Sequence, residues 1–290
     1  PQNAGGSNDV VARAVAARLP QLLGGSNVVV ENRPGAGGNV GSAWVAKSAP
    51  KDGSVWMVTV NSAQAVNPSL YPKFPFTPLK DLIPVTQLAD IPGSLVVHPS
   101  IPAKTVKELV AQAKEKPGQL TFASSGIGGA PHLAGEFFAM QTGTKLQHIA
   151  YKGGGPAIID LLAGSVTMSF ASLTSALPHI KSNRLRPLAV AAKTRARQLP
   201  DVQTMKEAGV GEIAVLDWQG MLAPKGLSKP ITDKLSAEIR SILKEPAVEA
   251  RFDAMGLDII GSTPEEFRKL LEEEVKRWAQ VIKTANIKID

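Results

Sequence analysis

Asn3-Ala4-Gly5-Gly6-Ser7-Asn8-Asp9 opens directly into Val10-Val11-Ala12-Arg13-Ala14-Val15, and this passage from a glycine-rich turn into a helix decides the fold. The two glycines let the backbone turn tightly and let a ligand approach the main chain. Any of the three polar residues after them can cap a helix. The apolar residues that follow recur at three- and four-residue steps, which predicts a helix over residues 7–23. Free N–H groups and the positive end of the helix dipole suit such a turn to an anion.

A second glycine-rich turn has the same plan: Phe122-Ala123-Ser124-Ser125-Gly126-Ile127-Gly128-Gly129-Ala130-Pro131-His132. It follows a predicted strand over residues 119–123 and opens a predicted helix from about residue 131. Neither turn contains Lys or Arg, so an anion there would be held by backbone N–H, Ser hydroxyl and Asn amide donors. Tight packing alone also explains one such turn. The occurrence of two predicts that they face each other and share one small carboxylate.

Composition limits the classes of function. The chain has 290 residues, of which 43% are hydrophobic and 20% charged, as in an ordinary globular protein. There is no cysteine, which excludes disulfides and thiolate catalysis. The formal net charge is +7, but Lys and Arg are scattered and aromatic residues make up only 5%, so we predict no nucleic-acid partner. The sequence has no window of about 18 uninterrupted apolar residues, so we predict no membrane span.

Strands and glycine-rich or capped helices alternate along the chain. Strands are predicted over residues 27–32, 54–60, 94–98, 119–123, 146–150, 166–170 and 188–192, and further helices over 39–48, 105–116, 157–162, 174–181, 229–244, 246–254 and 264–285. Residues 63–93 carry six prolines and are expected to be irregular. This alternation predicts an α/β fold with mostly parallel sheets flanked by helices.

The recurrence of the strand–turn–helix unit predicts two lobes. The chain is expected to cross near residues 98–100 and to return near residues 222–225. The first lobe would then consist of residues 1–98 and 224–290, and the second of residues 99–223. The chain begins inside what looks like a loop, so a signal peptide is absent from it, and we expect a mature or trimmed product.

The residue spacing in this chain does not match the motifs of the enzyme classes that we considered. No phosphate-binding P-loop is present, and the glycines at 35–41 do not fit a dinucleotide-binding motif, because position 40 is Val. A serine hydrolase using Ser124 or Ser125 with His132 is a weaker alternative, because Phe122 stands where such an elbow needs glycine. The other histidines, at 98, 148 and 179, are expected to be structural or at the surface. We predict no catalytic residue, no metal and no cofactor.

Several motifs occur in the order typical of one family. They are Ala4-Gly5-Gly6-Ser7-Asn8-Asp9, the segment Val30 to Gly41 (VENRPGAGGNVG), Asn67-Pro68-Ser69-Leu70-Tyr71, Tyr151-Lys152-Gly153-Gly154, Leu177-Pro178-His179-Ile180 and Leu199-Pro200-Asp201-Val202. Over essentially its whole length the chain resembles the periplasmic solute-binding receptors of tripartite tricarboxylate transporters, the Bug or TctC family.

The resemblance implies a two-lobe, Venus-flytrap periplasmic-binding-protein fold (type II) and no enzymatic activity. It implies a monomer that captures a small organic carboxylate between its lobes in the periplasm and delivers it to the membrane subunits of the transporter. A ligand-sensing partner of a signalling system, with the same fold and pocket, is the alternative.

The resemblance also assigns the ligand-binding residues. In the first lobe they are Asn3, Ala4, Gly5, Gly6, Ser7, Asn8, Asp9, Asn61 and Ser62. In the second lobe they are Ser124, Ser125, Gly126, Gly128, Gly129, His132, Tyr151 and Ser172. Ala171-Ser172 replace the acidic and polar pair that is more usual in relatives. An amino group on the ligand would lose its partner there, so a plain carboxylate, and a dicarboxylate in particular, is expected to bind better than an amino acid.

Overall fold

Two units make up the chain in the computed structural model, which describes residues 1–2, 4, 7–22, 24–211, 213 and 217–284. The first unit contains Pro1–Asp90, Trp218–Ala254 and Asp258–Asp290, and the second contains Ile91–Asp217 and Met255–Leu257. The predicted lobe boundaries lie slightly later in the chain at both crossings. No helix in the described part of the chain is both long enough and apolar enough to cross a membrane.

Helices and strands alternate along most of the described chain. The helices are α1 (Ser7–Ala16), α2 (Leu19–Leu22), α3 (Asn39–Lys47), α4 (Asn67–Leu70), α5 (Pro78–Asp81), α6 (Val106–Glu115), α7 (Ala130–Thr142), α8 (Gly154–Leu162), α9 (Leu173–Lys181), α10 (Lys229–Ile242), α11 (Pro246–Ala254) and α12 (Pro264–Thr284). The strands are β1 (Met57–Val60), β2 (Leu82–Ile91), β3 (Gly93–Val97), β4 (Thr121–Ser124), β5 (Gln147–Ala150), β6 (Met168–Ser172), β7 (Arg186–Ala191), β8 (Asp217–Pro224) and β9 (Asp258–Ile259).

The first unit has a four-stranded sheet in the order β1-β8-β2-β9. Strand β8 is antiparallel to β1, and β9 is antiparallel to β2. Helix α12 buries Phe267, Leu271 and Trp278, as its apolar period predicts. The Phe267 ring meets the Trp218 ring edge to face, with 5.1 Å between the ring centres. Gly220 makes room for this ring, because a Cβ there would lie 2.1 Å from Phe267 Cζ.

The second unit has a five-stranded sheet in the order β5-β4-β6-β3-β7. Strand β4 is parallel to both β5 and β6. Strand β3 is antiparallel to β6 and β7. The α/β class is therefore confirmed, but the second sheet is mixed rather than mostly parallel, because only the two pairings of β4 are parallel.

Several segments differ from the predicted secondary structure. The helix predicted over residues 7–23 is divided into α1 and α2, and strand β8 is not predicted from the sequence. Residues 27–32 are irregular and are not part of a strand, and Val29 is 86% exposed. A β-branched run becomes a strand only when a neighbour accepts its ladder hydrogen bonds. Conversely, the proline-rich region 63–93 contains the ten-residue strand β2. Its one internal proline, Pro84, stands near the strand start, and the mostly buried residues after it favour the sheet.

Gly135 of α7 faces the ring of Phe122, and a Cβ there would lie 2.3 Å from Phe122 Cε2. We expect Gly135→Ala to destabilise the protein by about 1–3 kcal/mol, because the ring must leave its position. Gly155→Ala in α8, where a Cβ would meet nothing within 4 Å, is the matched control and should be neutral or slightly stabilising. Urea unfolding measures both, and equal effects would show that the Phe122 contact is not what requires glycine.

Candidate functional site

Three parallel strands of the second unit end at one edge of its sheet, and predicted site residues stand at those ends. Strand β4 ends at Ser124, β6 ends at Ser172, and β5 ends directly before Tyr151. The order β5-β4-β6 places the three ends side by side. Ligands of open α/β sheets bind outside the carboxyl ends of the parallel strands. The structure therefore brings the predicted residues of the second lobe to the edge where a ligand is expected.

The turn after β4, residues 124–129, is fixed by hydrogen bonds to its own neighbours. The Gly126 N–H donates to Ser124 Oγ at 3.2 Å, and the Gly128 N–H donates to His132 Nδ1 at 3.1 Å. The Gly129 N–H donates to the Gly126 carbonyl at 3.3 Å. Gly126 and Gly128 have φ values of 134° and 76°, which favour glycine. Three glycine N–H groups of the predicted site thus already have partners within the turn.

The first turn of α7 offers further donors. The Leu133 N–H makes the first intrahelical bond, to the Gly129 carbonyl. The N–H groups of Ala130 and His132 precede it, in positions that have no acceptor within a helix. Pro131 between them has no N–H. These donors and the positive end of the helix dipole give this edge of the sheet the chemistry of a small anion site.

Two histidines lie under the turn. His148 Nε2 of β5 is 2.6 Å from Ser124 Oγ. The rings of His132 and His148 stack with 4.1 Å between their centres, and the Phe122 ring stacks on His148 at 4.8 Å. Because His132 Nδ1 accepts the Gly128 N–H, the neutral ring carries its proton on Nε2. A histidine expected to be structural or at the surface, His148, thus belongs to the site.

Burial keeps the two imidazoles uncharged. Burial and, to a smaller extent, the positive charge that His148 can carry together lower the pKa of His132 to about 4. Burial also lowers the pKa of His148 and raises the pKa of Glu136. Glu136 Oε1 is 3.7 Å from His132 Nε2. At neutral pH both imidazoles are therefore neutral, and the donors above them are dipoles rather than cations.

The Ser124 hydroxyl is a link in the turn rather than an exposed nucleophile. Ser124 is fully buried, and its hydroxyl is within hydrogen-bond distance of the Gly126 carbonyl as well as of His148. Among the described residues, no group of three or more His, Asp or Glu side chains is placed to hold a metal ion.

The remaining second-lobe residues have their polar groups held in place. The Tyr151 hydroxyl donates to Asp160 Oδ2 at 2.6 Å. Burial, and then this bond, raise the Tyr151 pKa to about 12. Ser172 Oγ lies 2.9 Å from Ser175 Oγ. The Ser125 carbonyl accepts the Gly153 N–H at 3.1 Å, which ties the turn to the segment after β5.

The first glycine-rich turn is described only in part. Asn3, Gly5 and Gly6 lie outside the described residues; Ala4 is exposed, and Ser7 begins α1.

Asn8 and Asp9, the next two residues, are both buried. Asp9 Oδ1 accepts from Asn32 Nδ2 at 3.0 Å, and Asp9 Oδ2 accepts from Arg13 Nε at 3.0 Å. The Asp9 charge is therefore compensated, and the Asp9 side chain connects α1 to the irregular segment 27–32. Both polar side-chain atoms of Asn8 are buried without a hydrogen-bond partner in the part of the chain that the structure describes.

Asn61 and Ser62 follow β1, and Asn61 is bound to a buried carboxylate. Asn61 Nδ2 donates to Glu274 Oε2 at 2.9 Å, and Trp278 Nε1 donates to the same oxygen at 2.7 Å. Arg277 donates to Glu274 Oε1 at 3.2 Å. Ser62 begins a single π-helical turn, Ser62–Val66. The sequence prediction missed Glu274, although an acidic residue on the apolar face of α12 was a usable signal.

The sequence model of one protein family, described as "Tripartite tricarboxylate transporter family receptor", matches residues 11–287 of this chain. The chain is 39% identical over 286 residues to Protein BugT of Bordetella pertussis, covering 98% of this chain and 87% of that protein. A solved periplasmic transporter is 40% identical with a TM-score of 0.90, covering 100% of this chain and 96% of the other.

Two further solved relatives carry ligands. One is Rpa4515 of R. palustris with adipate, 31% identical with a TM-score of 0.91, covering 99% of this chain and 96% of the other. The second is MatC of Rhodopseudomonas palustris with bound malate, 28% identical with a TM-score of 0.86, covering 97% of this chain and 96% of the other. The predicted family, the periplasmic-binding-protein fold and the absence of an enzymatic role are confirmed, and the serine hydrolase alternative is wrong. The chain therefore belongs to the tripartite tricarboxylate transporter receptor family and is a solute-binding receptor rather than an enzyme.

Proposed function

We propose that the chain binds a small organic carboxylate, a dicarboxylate by preference, at the turn of residues 124–129 and the start of α7. We also propose that it acts as a monomer in the periplasm and delivers this ligand to the membrane subunits of a tripartite transporter. The observation that carries the proposal is the convergence of free helix N–H donors, glycine backbone and three parallel strand ends at one edge. Membership of the receptor family supports the delivery step.

The chemistry of this edge suits a carboxylate. Its donors are N–H and hydroxyl groups, and the turn contains no cation. A hydrogen bond to an ionised group is worth about 1.5–3 kcal/mol. Three or four of them, less the costs of binding, approach the roughly 8 kcal/mol of micromolar affinity.

The ligand class rests on three observations. The relatives solved with adipate and malate hold dicarboxylates. Ile127 is 42% exposed in the turn and offers an apolar contact to an aliphatic chain. Ala171 and Ser172 end β6 without a negative charge, so a ligand ammonium would find no carboxylate there.

For the first unit we propose that Asn3, Gly5, Gly6, Asn61 and Ser62 also donate to the ligand, as the family resemblance implies. The compensated charge of Asp9 supports this, because an ion-paired carboxylate repels an anionic ligand less than a free one would.

Thermal unfolding against a panel of mono-, di- and tricarboxylates and amino acids tests the proposal, after unfolding and refolding to remove any ligand carried through purification. A dicarboxylate at a hundred times its dissociation constant should add about 2.7 kcal/mol, which for a chain of this size is a few degrees. Aspartate and glutamate should shift the midpoint less. The reverse ranking, or no shift with any carboxylate, would overturn the proposal.

Ile127→Asp gives a matched test of the site. The new charge at this half-exposed position should lower carboxylate affinity at least tenfold by repulsion, whereas the neutral Ile127→Asn should lower it much less. Calorimetric titration measures both. Equal losses would show that the ligand carboxylate does not bind near this turn.

A further inference from the structure

We propose that His148 is a positioning residue for the carboxylate-binding turn: it acts through Ser124 to hold Gly126, and it supports the ring of His132 that holds Gly128. This inference rests on the proposed function, because it names the group that sets the geometry of the same site. Nothing in the sequence around His148 marks it for this role, since its neighbours in β5 are unremarkable in charge and spacing.

Hydrogen bonds connect His148 to the turn in two steps. Its Nε2 atom lies 2.6 Å from Ser124 Oγ, the shortest link in the cluster, and Ser124 Oγ accepts the Gly126 N–H at 3.2 Å. Gly126 has a φ of 134° and is the first glycine after the strand. The orientation of the Ser124 hydroxyl therefore decides how the chain leaves β4, and His148 fixes that orientation.

Ring stacking provides the second connection. His148 lies between Phe122 and His132, with 4.8 Å and 4.1 Å between ring centres. Phe122 and His148 are opposite each other in the parallel β4–β5 pair, so this contact is set by strand register. His132 in turn accepts the Gly128 N–H. Both glycines at which the turn takes a left-handed φ are thus attached to this three-ring stack, one through Ser124 and one through His132.

Two substitutions separate the hydrogen bond from the stack. His148→Phe keeps an aromatic ring between Phe122 and His132 but removes the imidazole partner of Ser124 Oγ. His148→Gln loses the ring but places an amide group near the Nε2 position, where it can bond the hydroxyl. If His148 positions the turn through Ser124, the phenylalanine variant should retain stability and lose affinity. The glutamine variant should lose some stability and keep most of its affinity.

Amide exchange of Gly126, followed by NMR in the ligand-free protein, is the first measurement. We expect at least tenfold faster exchange in His148→Phe than in the wild type, and near-wild-type exchange in His148→Gln. Unchanged exchange in His148→Phe would overturn the proposal. This measurement needs no ligand, so a wild-type protein that binds no carboxylate would refute the proposed function while leaving this test decisive.

A double-mutant cycle with the best dicarboxylate of the panel is the second measurement. His148→Phe should bind about five- to twentyfold more weakly, and Ser124→Ala by a similar factor. The double variant should bind no more weakly than Ser124→Ala alone, because both changes break one chain of contacts. Additive losses, or an equal loss in His148→Gln, would show that His148 does not act through the Ser124 hydroxyl.

Discussion

Replacing Glu274 with leucine is expected to destabilise the protein by about 2–5 kcal/mol, because two buried donors lose the acceptor that they share. The Glu274 carboxylate accepts from Asn61 Nδ2 and from Trp278 Nε1 on the same oxygen, and Glu274 and Asn61 are almost completely buried. The leucine side chain fits the apolar face of α12 but accepts no hydrogen bond. Each buried donor left unpaired costs about 1–3 kcal/mol, so two lost acceptor contacts account for the total.

Two controls make this prediction specific. Glu273→Leu changes the neighbouring, exposed residue of the same helix and should alter the free energy of unfolding by no more than about 0.5 kcal/mol. Glu274→Gln keeps one acceptor oxygen and should fall between the two. Urea unfolding at pH 7 measures all three. A Glu274→Leu protein as stable as Glu273→Leu would mean that the carboxylate is not needed by its donors.

Acid is expected to destabilise the protein between about pH 6.5 and pH 4 through His132. The folded state lowers the pKa of this group from 6.5 to about 4, mainly by burial. Above pH 6.5 the imidazole is neutral in both states, and its contribution is fully present. As the pH falls, the unfolded chain binds the proton first, so stability is lost progressively until the folded group also titrates. A shift of this size corresponds to about 3 kcal/mol, and the lowered pKa of His148 acts in the same direction.

His132→Asn isolates this contribution. Its amide oxygen can accept the Gly128 N–H in place of Nδ1, but it does not titrate between pH 4 and pH 7. The free energy of unfolding, measured in urea at several pH values, should therefore fall less steeply with acid in this variant than in the wild type. Other titrating groups, such as Asp52 and Glu207 with their lowered pKa values, are common to both proteins and cancel. Parallel curves would contradict the assignment to His132.

Local patterns predicted much of the secondary structure, because their causes lie within a few residues. Thr105 Oγ1 accepts the Glu108 N–H and opens α6, as the capping-box pattern predicts. Before α12, Thr263 Oγ1 accepts the Glu266 N–H, and Glu266 Oε2 accepts the Thr263 N–H in return. Residues 27–32 show the limit of this approach. Their composition predicts a strand, but strand formation depends on a partner that no local pattern supplies.

The candidate site divides in the same way. The glycine turn of residues 124–129 is visible in the sequence because a strand, glycines and a capped helix follow one another. The sequence analysis missed two residues that bind predicted site residues: His148, which contacts Ser124, and Glu274, which accepts from Asn61. Each contacts its partner across many residues: Ser124 to His148 spans 24 positions and Asn61 to Glu274 spans 213. Such pairs emerge only once strand register and helix packing are known. The contact of the predicted residues with a ligand stays a prediction.

The donors in the first turn of α7 are main-chain groups. Since every residue except proline carries an N–H, drift in sequence at these positions changes the side chains while leaving most of the donors in place. On the proposed function, the capacity to hold a carboxylate is then robust to mutation, and the residues around it are free to diverge. After gene duplication, a protein whose carboxylate is bound by main-chain donors can change its substrate and still recognise the carboxylate group.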